Sequence, residues 1–274
     1  MKLSAKKMHY ILDIMINISH NAGRMLIKLF ETKNFVYIHK PGKANIATNA
    51  DFLVQQLIVE ELKKHFPAIP IIAEETPQTK LTGSQFLFLV DPLDGTLNFI
   101  HGLPLFAVSI ALLKEHKPIL GVVYAPILNE TFIAILNHGA FRNGQRLLCR
   151  KDIRKEDALG ATGWPYDPDL LPWTYKTLMS MQQNIQEIRI LGTAALEMCY
   201  VAAGIIDIYW EVNLQPWDLA AGSLVVSEAG GIVTDLNGKY FDPFSGCVLA
   251  CRSKRLHQYA IKLLKTCSFS SASS

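Results

Sequence analysis

The distribution of apolar residues divides the first part of the chain into two helices followed by strands. Apolar side chains recur every three to four positions from Ile11 to Leu29, and a second helical pattern covers Asn49–His65. The segment 35–47 between them is rich in Lys, Gly and Pro and predicts a loop or a mobile flap. Short apolar runs, most of them bounded by Gly or Pro, predict strands at 69–73, 86–90, 107–113, 119–124 and 131–136.

The second half of the chain alternates between strand and helix patterns. Strand-like runs at 188–191, 205–210 and 231–234 are separated by helical stretches at 193–203 and 217–229. We therefore predict a mixed α/β fold. A turn predicted between Gly139 and Gly144 marks a division between two lobes, but no low-complexity linker or repeat indicates separate domains. The expected organisation is one domain, 1–274, with lobes of about 1–142 and 143–274.

Composition and charge exclude several classes of protein. The 27 Lys and Arg residues only slightly exceed the 24 Asp and Glu residues and are scattered, so the charge does not support a nucleic-acid partner. Asp13 interrupts the first apolar stretch, which therefore predicts an amphipathic helix and not a signal peptide. The longest nearly apolar run, 103–113, is shorter than the roughly 20 residues that span a membrane. Five cysteines without CxxC spacing predict reduced thiols in a cytoplasmic protein.

Acidic residues form three clusters at the ends or starts of predicted elements. The run 86–90 is apolar on both faces, which predicts a buried strand, and Asp91-Pro-Leu-Asp94-Gly follows it directly. Glu74 and Glu75 follow the strand at 69–73, and Asp218 follows Pro216-Trp217. Each cluster has an ordinary structural explanation: a turn for the first, a solvated loop or helix start for the second, and helix capping for the third.

The three clusters together favour a cation site. Carboxylates gathered at the edge of a buried sheet repel one another and cost several kcal/mol each in desolvation unless cations neutralise them. Oxygen-only ligands favour Mg²⁺. No His or Cys pair has zinc-like spacing, and His101 is interpreted as a loop or packing residue.

These motifs resemble those of the inositol monophosphatase family, within the lithium-sensitive, metal-dependent sugar and nucleotide phosphatases. The similarity covers about residues 40–252. It includes Asp91-Pro-Leu-Asp-Gly-Thr-Leu-Asn-Phe99, Pro216-Trp-Asp-Leu-Ala-Ala-Gly222 and Ser227-Glu-Ala-Gly-Gly231, with Ala73-Glu-Glu75 and Gly192-Thr-Ala194 in the matching places.

The resemblance implies a layered αβαβα fold, usually a homodimer, with two or three Mg²⁺ ions where the lobes meet. Asp91 is expected to bridge two ions. The implied ligands are Glu74, Asp91, the Leu93 carbonyl, Asp94 and Asp218. Two close metal ions can clamp both the attacking and the leaving oxygen of an in-line displacement.

The resemblance also implies catalytic and substrate-binding roles. Thr96 is expected to help Glu74 activate the attacking water, and Asp51 to accept the threonine hydroxyl proton. Backbone N–H groups of Gly95 and Thr96 are expected to hold phosphate oxygens. The expected contacts to substrate hydroxyls come from Asp94, Gly192, Thr193, Ala194 and Glu211. Glu211 also fits a charged residue ending a strand, and 192–194 also fit a strand-to-helix turn capped by Thr193.

Some residues depart from the family pattern. Asn45-Ile-Ala-Thr48 replaces a common Asp-x-Val-Thr, which puts the flap geometry and a third metal in question. Leu97 replaces a common threonine, which predicts a change in packing or substrate fit. Gly163-Trp164-Pro-Tyr166 either borders the substrate opening or is an ordinary aromatic loop.

We therefore predict Mg²⁺-dependent hydrolysis of inositol 1-phosphate, a small phosphorylated polyol. The alternatives are the same chemistry on histidinol phosphate, fructose 1,6-bisphosphate or a 3′,5′-bisphosphate nucleotide. A further alternative from another class is a binding role in a bacterial transcription complex, as some bacterial relatives have.

Overall fold

The computed structural model describes residues 4–39, 46–75, 85–149 and 152–267. Helix α1 (Ala5–Thr32) begins after Ser4, whose hydroxyl accepts the Lys7 N–H, and it buries one apolar stripe. Helix α2 (Asn49–His65) begins with a capping box between Thr48 and Asp51. None of the helices in these four ranges is long and apolar enough to cross a bilayer.

Two short strands precede α2, in a segment predicted as a loop. Strand β1 (Tyr37–His39) pairs antiparallel with β2 (Ile46–Thr48), so the loop prediction for 35–47 is wrong in the described part. Val36, Tyr37 and Ile38 are β-branched or aromatic, which suits strand pairing. Residues 40–45, including Asn45 of the predicted flap, lie outside the described residues.

Seven strands form the first sheet, in the order β3-β4-β5-β6-β7-β8-β9. Strands β3 and β4 are parallel and the other neighbours antiparallel. The strands are β3 (Ile71–Ala73), β4 (Phe86–Asp94), β5 (Ala107–Lys114), β6 (Lys117–Ala125), β7 (Glu130–Ile135), β8 (Gly139–Arg142) and β9 (Gln145–Arg146). The turn predicted at 139–144 is therefore mostly strand. Only Asn143 and Gly144, both with positive φ, turn the chain from β8 into β9.

Five strands form the second sheet, in the order β11-β10-β12-β14-β13. They are β10 (Leu159–Thr162), β11 (Glu187–Arg189), β12 (Ile208–Val212), β13 (Ile232–Thr234) and β14 (Cys247–Cys251). The remaining helices are α3 (Thr96–His101), α4 (Leu171–Gln182), α5 (Ala194–Ala203), α6 (Pro216–Glu228) and α7 (Lys254–Thr266).

The elements stack in five layers. Helices α1 and α2 cover one face of the first sheet, and α5 and α6 lie between the two sheets. Helices α4 and α7 cover the outer face of the second sheet. Three buried apolar clusters fill the spaces between these layers, and the middle cluster joins α5 and α6 to both sheets. The predicted αβαβα arrangement is therefore confirmed, while the division into two lobes stays a prediction.

Candidate active site

The carboxyl end of strand β4 carries two of the predicted ligands. The pairing of β4 with β5 is irregular between Asp91 and Asp94, and the Asp91 Oδ1 accepts the Leu93 N–H at 2.9 Å. Gly95 then adopts φ 95°, and a Cβ at this position would lie 2.9 Å from the Leu105 carbonyl oxygen. Only glycine fits there, and it turns the chain sharply from β4 into α3.

The other predicted carboxylates reach the same place from different elements. Because β3 runs parallel to β4 with Ala73 opposite Val90, Glu74 lies beside Asp91. The Glu74 N–H donates to the Val90 carbonyl at 3.2 Å. Asp218 lies in the first turn of α6, where its Oδ2 accepts the Gln215 N–H at 2.8 Å. The capping contact predicted as an alternative for Asp218 is therefore present, on a residue that also faces the cavity described next.

One cavity of about 290 Å³ brings together most of the predicted site residues. Those that line it are Glu74, Asp91, Leu93, Asp94, Gly95, Thr96, Gly192, Thr193, Ala194, Glu211 and Asp218. Leu97, Gly163, Trp164 and Tyr166 also line it, so the aromatic loop does border the opening. Asp51 does not line the cavity but lies behind Thr96, whose Oγ1 is 3.0 Å from both the Asp51 Oδ1 and the Leu93 carbonyl oxygen.

The carboxylates perturb one another. Burial raises the pKa of Asp91 well above its usual range, and the nearby charges of Glu74, Asp94 and Asp218 raise it further. Burial also raises the pKa of Asp94 to about 6, although hydrogen bonds from Thr193 and Ala195 oppose the shift. The pKa of Asp218 is raised well above its usual range by burial and then by Asp94. The ionised cluster is therefore unfavourable without a neutralising partner.

The donor set has the chemistry of a site for a hard divalent cation. The predicted ligands that line the cavity are four carboxylates and Leu93, whose carbonyl oxygen accepts the Thr96 hydroxyl, so they supply only oxygen donors. Within the described ranges, no three His, Cys, Asp or Glu side chains converge closely enough to surround one ion. Protein donors hold some of the carboxylate oxygens instead: the Asp94 Oδ2 accepts the Thr193 hydroxyl at 2.5 Å and the Ala195 N–H at 2.8 Å. The residues fit Mg²⁺ in kind, and binding would require side-chain adjustment.

Glu211 lies inside strand β12 and not at its end. Its side chain is buried at 8% exposure, and its Oε2 accepts the Tyr209 hydroxyl at 2.6 Å. Burial raises the pKa of Glu211 to about 8. The interpretation of Glu211 as a charged residue that ends the strand is therefore wrong, because β12 continues to Val212 and Glu211 is buried. Thr193 precedes α5 and makes no side-chain cap bond there; its hydroxyl donates to Asp94.

Sequence reasoning assigned no role to two residues that shape this cavity. Asn98 donates through Nδ2 to the carbonyl oxygens of Leu105 (2.7 Å) and Leu191 (2.6 Å), and thereby links α3 to the turn at 191–193. Glu197, fully buried in α5, accepts N–H groups from the same turn. Asn98 stands in the quoted Asp91–Phe99 motif, which was a usable signal. For Glu197 the only signal was an acid inside an otherwise apolar helix.

Comparison with known proteins identifies the class to which this fold and cavity belong. The profile of the inositol monophosphatase family matches residues 7–268. The chain belongs to this family, as its motifs predicted. Membership supports a phosphatase activity on a phosphorylated substrate, and proteins with this fold generally use Mg²⁺.

Particular relatives cover nearly the whole chain. A fructose-1,6-bisphosphatase/inositol-1-monophosphatase of Thermotoga maritima is 40% identical over 234 residues, which is 85% of this chain and 88% of that protein. The Nus factor SuhB of Escherichia coli is 37% identical over 244 residues, 89% of this chain and 91% of its own. The crystal structure of the extragenic suppressor protein suhB from Bartonella henselae has a TM-score of 0.88 at 38% identity, covering 93% of this chain and 98% of that one.

Proposed function

We propose that this protein is a Mg²⁺-dependent phosphomonoesterase that hydrolyses inositol 1-phosphate to inositol and phosphate. The observation that carries the proposal is the meeting of Glu74, Asp91, Asp94 and Asp218 at one cavity that also contains Glu211. The four carboxylates suit a metal-bound phosphate, and the buried Glu211 suits the hydroxyls of a polyol.

The metal would be held by the oxygen ligands of the cavity. Glu74, Asp91, the Leu93 carbonyl, Asp94 and Asp218 would hold two or three Mg²⁺ ions. Bound Mg²⁺ lowers the pKa of a water molecule and neutralises charge on the phosphate. Family membership and the mutual repulsion of these carboxylates support this assignment.

Protein groups would orient the water and take its proton. The Thr96 hydroxyl lies 3.0 Å from Asp51, so it can pass its own proton to Asp51 while accepting one from a water held by Glu74. Burial raises the pKa of Asp51, which favours a proton at that carboxylate. Backbone N–H groups of Gly95 and Thr96 would hold the phosphate oxygens. Asp94, Glu211 and the backbone at 192–194 would bind the substrate hydroxyls.

Phosphate release from a panel of esters tests both the reaction and the substrate. The panel contains inositol 1-phosphate, histidinol phosphate, fructose 1,6-bisphosphate and a 3′,5′-bisphosphate nucleotide, each with and without Mg²⁺ and Li⁺. The proposal predicts Mg²⁺-dependent, Li⁺-inhibited release with the highest kcat/KM for inositol 1-phosphate. Preference for another ester would reassign the substrate, and no release from any ester by folded, Mg²⁺-loaded protein would refute the enzyme proposal for this panel.

A binding role is the second candidate, because several relatives at 36–37% identity are named Nus factor SuhB. By analogy, this chain would join a bacterial transcription complex through protein contacts, since its net charge of only +3 is spread along the sequence. A pull-down from bacterial extract with wild-type protein and Asp94→Asn tests it. A binding role predicts that both capture transcription proteins although the variant lacks phosphatase activity. Capture by neither would contradict it.

We also propose a homodimer, from the habit of the family, and a cytoplasmic location, from five cysteines without CxxC spacing. Light scattering on the purified protein tests the first, with a mass twice that of the 30.6 kDa chain as the expected result. A monomer at micromolar concentration would contradict it.

A further inference from the structure

Glu197 is a fully buried acid that none of the proposed chemical steps uses. It lies in α5 at 0% exposure, and no ion pair within the described residues involves it. Its two carboxylate oxygens instead accept backbone N–H groups, Oε1 from Leu191 at 3.2 Å and Oε2 from Thr193 at 3.3 Å. A buried carboxylate without a cation is costly, so its retention calls for a specific task.

We propose that Glu197 is a positioning residue that holds the 191–193 turn in the shape that faces the substrate. The inference rests on the proposed function, because that function makes this turn a wall of the substrate site. The turn contains Gly192 in a left-handed conformation, with φ 72°. One carboxylate bonded on both sides of Gly192 fixes the directions of the two flanking N–H groups.

A second side chain, that of Asn98, also bonds to this turn. Asn98 donates to the Leu191 carbonyl at 2.6 Å, while Glu197 accepts the Leu191 N–H. The peptide groups around Leu191 are therefore held by one side chain from α3 and one from α5. Without Glu197 the N–H of Thr193, a residue only 1% exposed, would lose its partner in a place that water reaches poorly.

The turn also transmits its position to a proposed metal ligand. The Thr193 side chain donates to the Asp94 Oδ2 at 2.5 Å, and the Ala195 N–H donates to the same oxygen at 2.8 Å. A displaced turn would therefore move Thr193 away from Asp94. Glu197 thus supports both the substrate wall and the orientation of Asp94, without contacting substrate or metal itself.

The test compares Glu197→Ala and Glu197→Gln with a matched buried acid, Asp207→Asn. Asp207 is also buried, accepts the Leu159 N–H at 2.8 Å and pairs with Arg252, but it does not line the cavity. Hydrogen exchange of the peptide containing 191–193 is measured together with the KM and kcat of phosphate release. For Glu197→Ala we expect at least about tenfold faster exchange in that peptide and at least about a tenfold rise in KM. Glu197→Gln keeps one acceptor, so its effects should be intermediate, and Asp207→Asn should leave both quantities within about twofold.

The exchange measurement separates this inference from the proposed function. If the wild type hydrolyses no ester, the proposed function fails, yet faster exchange at 191–193 in a folded Glu197 variant would still support the positioning role. If Glu197→Ala does not fold, the exchange of Glu197→Gln decides. Unchanged exchange and unchanged KM in a folded Glu197 variant would overturn the inference. So would an equal change in Asp207→Asn, because it would indicate general destabilisation.

Discussion

Gly163 leaves room for the Glu211 carboxylate, and filling that room should impair substrate binding without removing any functional group. Gly163 follows strand β10 and is buried. A Cβ added there would lie closer than 3.0 Å to both carboxylate oxygens of Glu211. The carboxylate would have to retreat by roughly 1 Å to reach an ordinary van der Waals separation. Retreat is costly because Glu211 is buried and bonded to the Tyr209 hydroxyl at 2.6 Å.

The expected loss can be estimated from this displacement. A misplacement of about 1 Å can cost up to about 100-fold in rate, so Gly163→Ala should lower kcat/KM for inositol 1-phosphate by roughly 10- to 100-fold. That range corresponds to about 1.4–2.7 kcal/mol, and we expect it mainly as a higher KM. Overpacking should also lower the free energy of unfolding by about 1–3 kcal/mol.

Steady-state kinetics and thermal unfolding of Gly163→Ala, of a stability control and of a double-mutant cycle with Glu211 test the reasoning. Gly144→Ala is the stability control: its φ of 78° strains an added side chain by about 1 kcal/mol, but the site is a surface turn with no atom within 4 Å of the new Cβ. It should lower the Tm and leave KM unchanged. Because Gly163→Ala acts through the Glu211 side chain, adding it to Glu211→Ala, which removes that side chain, should cost much less activity than it costs alone. A wild-type KM for Gly163→Ala, or full additivity in the double variant, would refute the proposed link.

Two further predictions concern the carboxylates and the threonine hydroxyl. Burial raises the pKa of Asp94 to about 6 and of Glu211 to about 8, so the folded protein without Mg²⁺ holds protons that the unfolded chain releases. Its Tm should therefore fall as the pH rises from 5 to 8. Because Mg²⁺ binds ionised carboxylates, it should raise the Tm more at pH 8 than at pH 6. Calorimetry that shows an equal rise in Tm with Mg²⁺ at both pH values would count against the proposed ligands. Thr96→Val should lower kcat by at least about 100-fold, because it removes the hydroxyl that bonds to Asp51 and to the Leu93 carbonyl. Thr96→Ser keeps the hydroxyl, so its kcat should stay within a few-fold of wild type. Equal kcat values in the two variants would contradict the role of Thr96.

The elements around the carboxylates were predictable because their signals are local. An apolar run that ends in acidic residues identifies both the strand and its functional end, and this pattern located Asp91 and Asp94. Helix α7 also has a local signal, since Leu256, Ala260 and Leu264 lie on one face after the N-cap Ser253, although the predictions do not include it. They also omit strands β10 and β14.

The supporting contacts could not be read from the sequence because they join distant segments. Asn98 bonds to a carbonyl 93 residues away, and Thr193 bonds to Asp94 across 99 residues. Helix α4 buries Thr174 and Thr177 together with Trp173, so the pattern of apolar residues does not identify its buried face. Burial of Thr177 is tolerated because its hydroxyl donates to the Thr174 carbonyl at 3.0 Å. Which polar groups become buried depends on tertiary partners and not on local pattern.

The most direct test of the central claim is a Mg²⁺ titration of phosphate release from inositol 1-phosphate by wild-type protein and Asp91→Asn, both first stripped with a chelator. Asp91 is the proposed ligand that lies among Glu74, Asp94 and Asp218, which all remain in the variant. We predict that wild-type turnover depends fully on Mg²⁺ and that Asp91→Asn, folded to the same extent, loses activity by about 1,000-fold or more, since the metal supplies several kcal/mol of transition-state stabilisation. Wild-type release that is independent of Mg²⁺, or Mg²⁺-dependent turnover by Asp91→Asn close to the wild-type rate, would contradict the claim that this cavity is a magnesium phosphatase site.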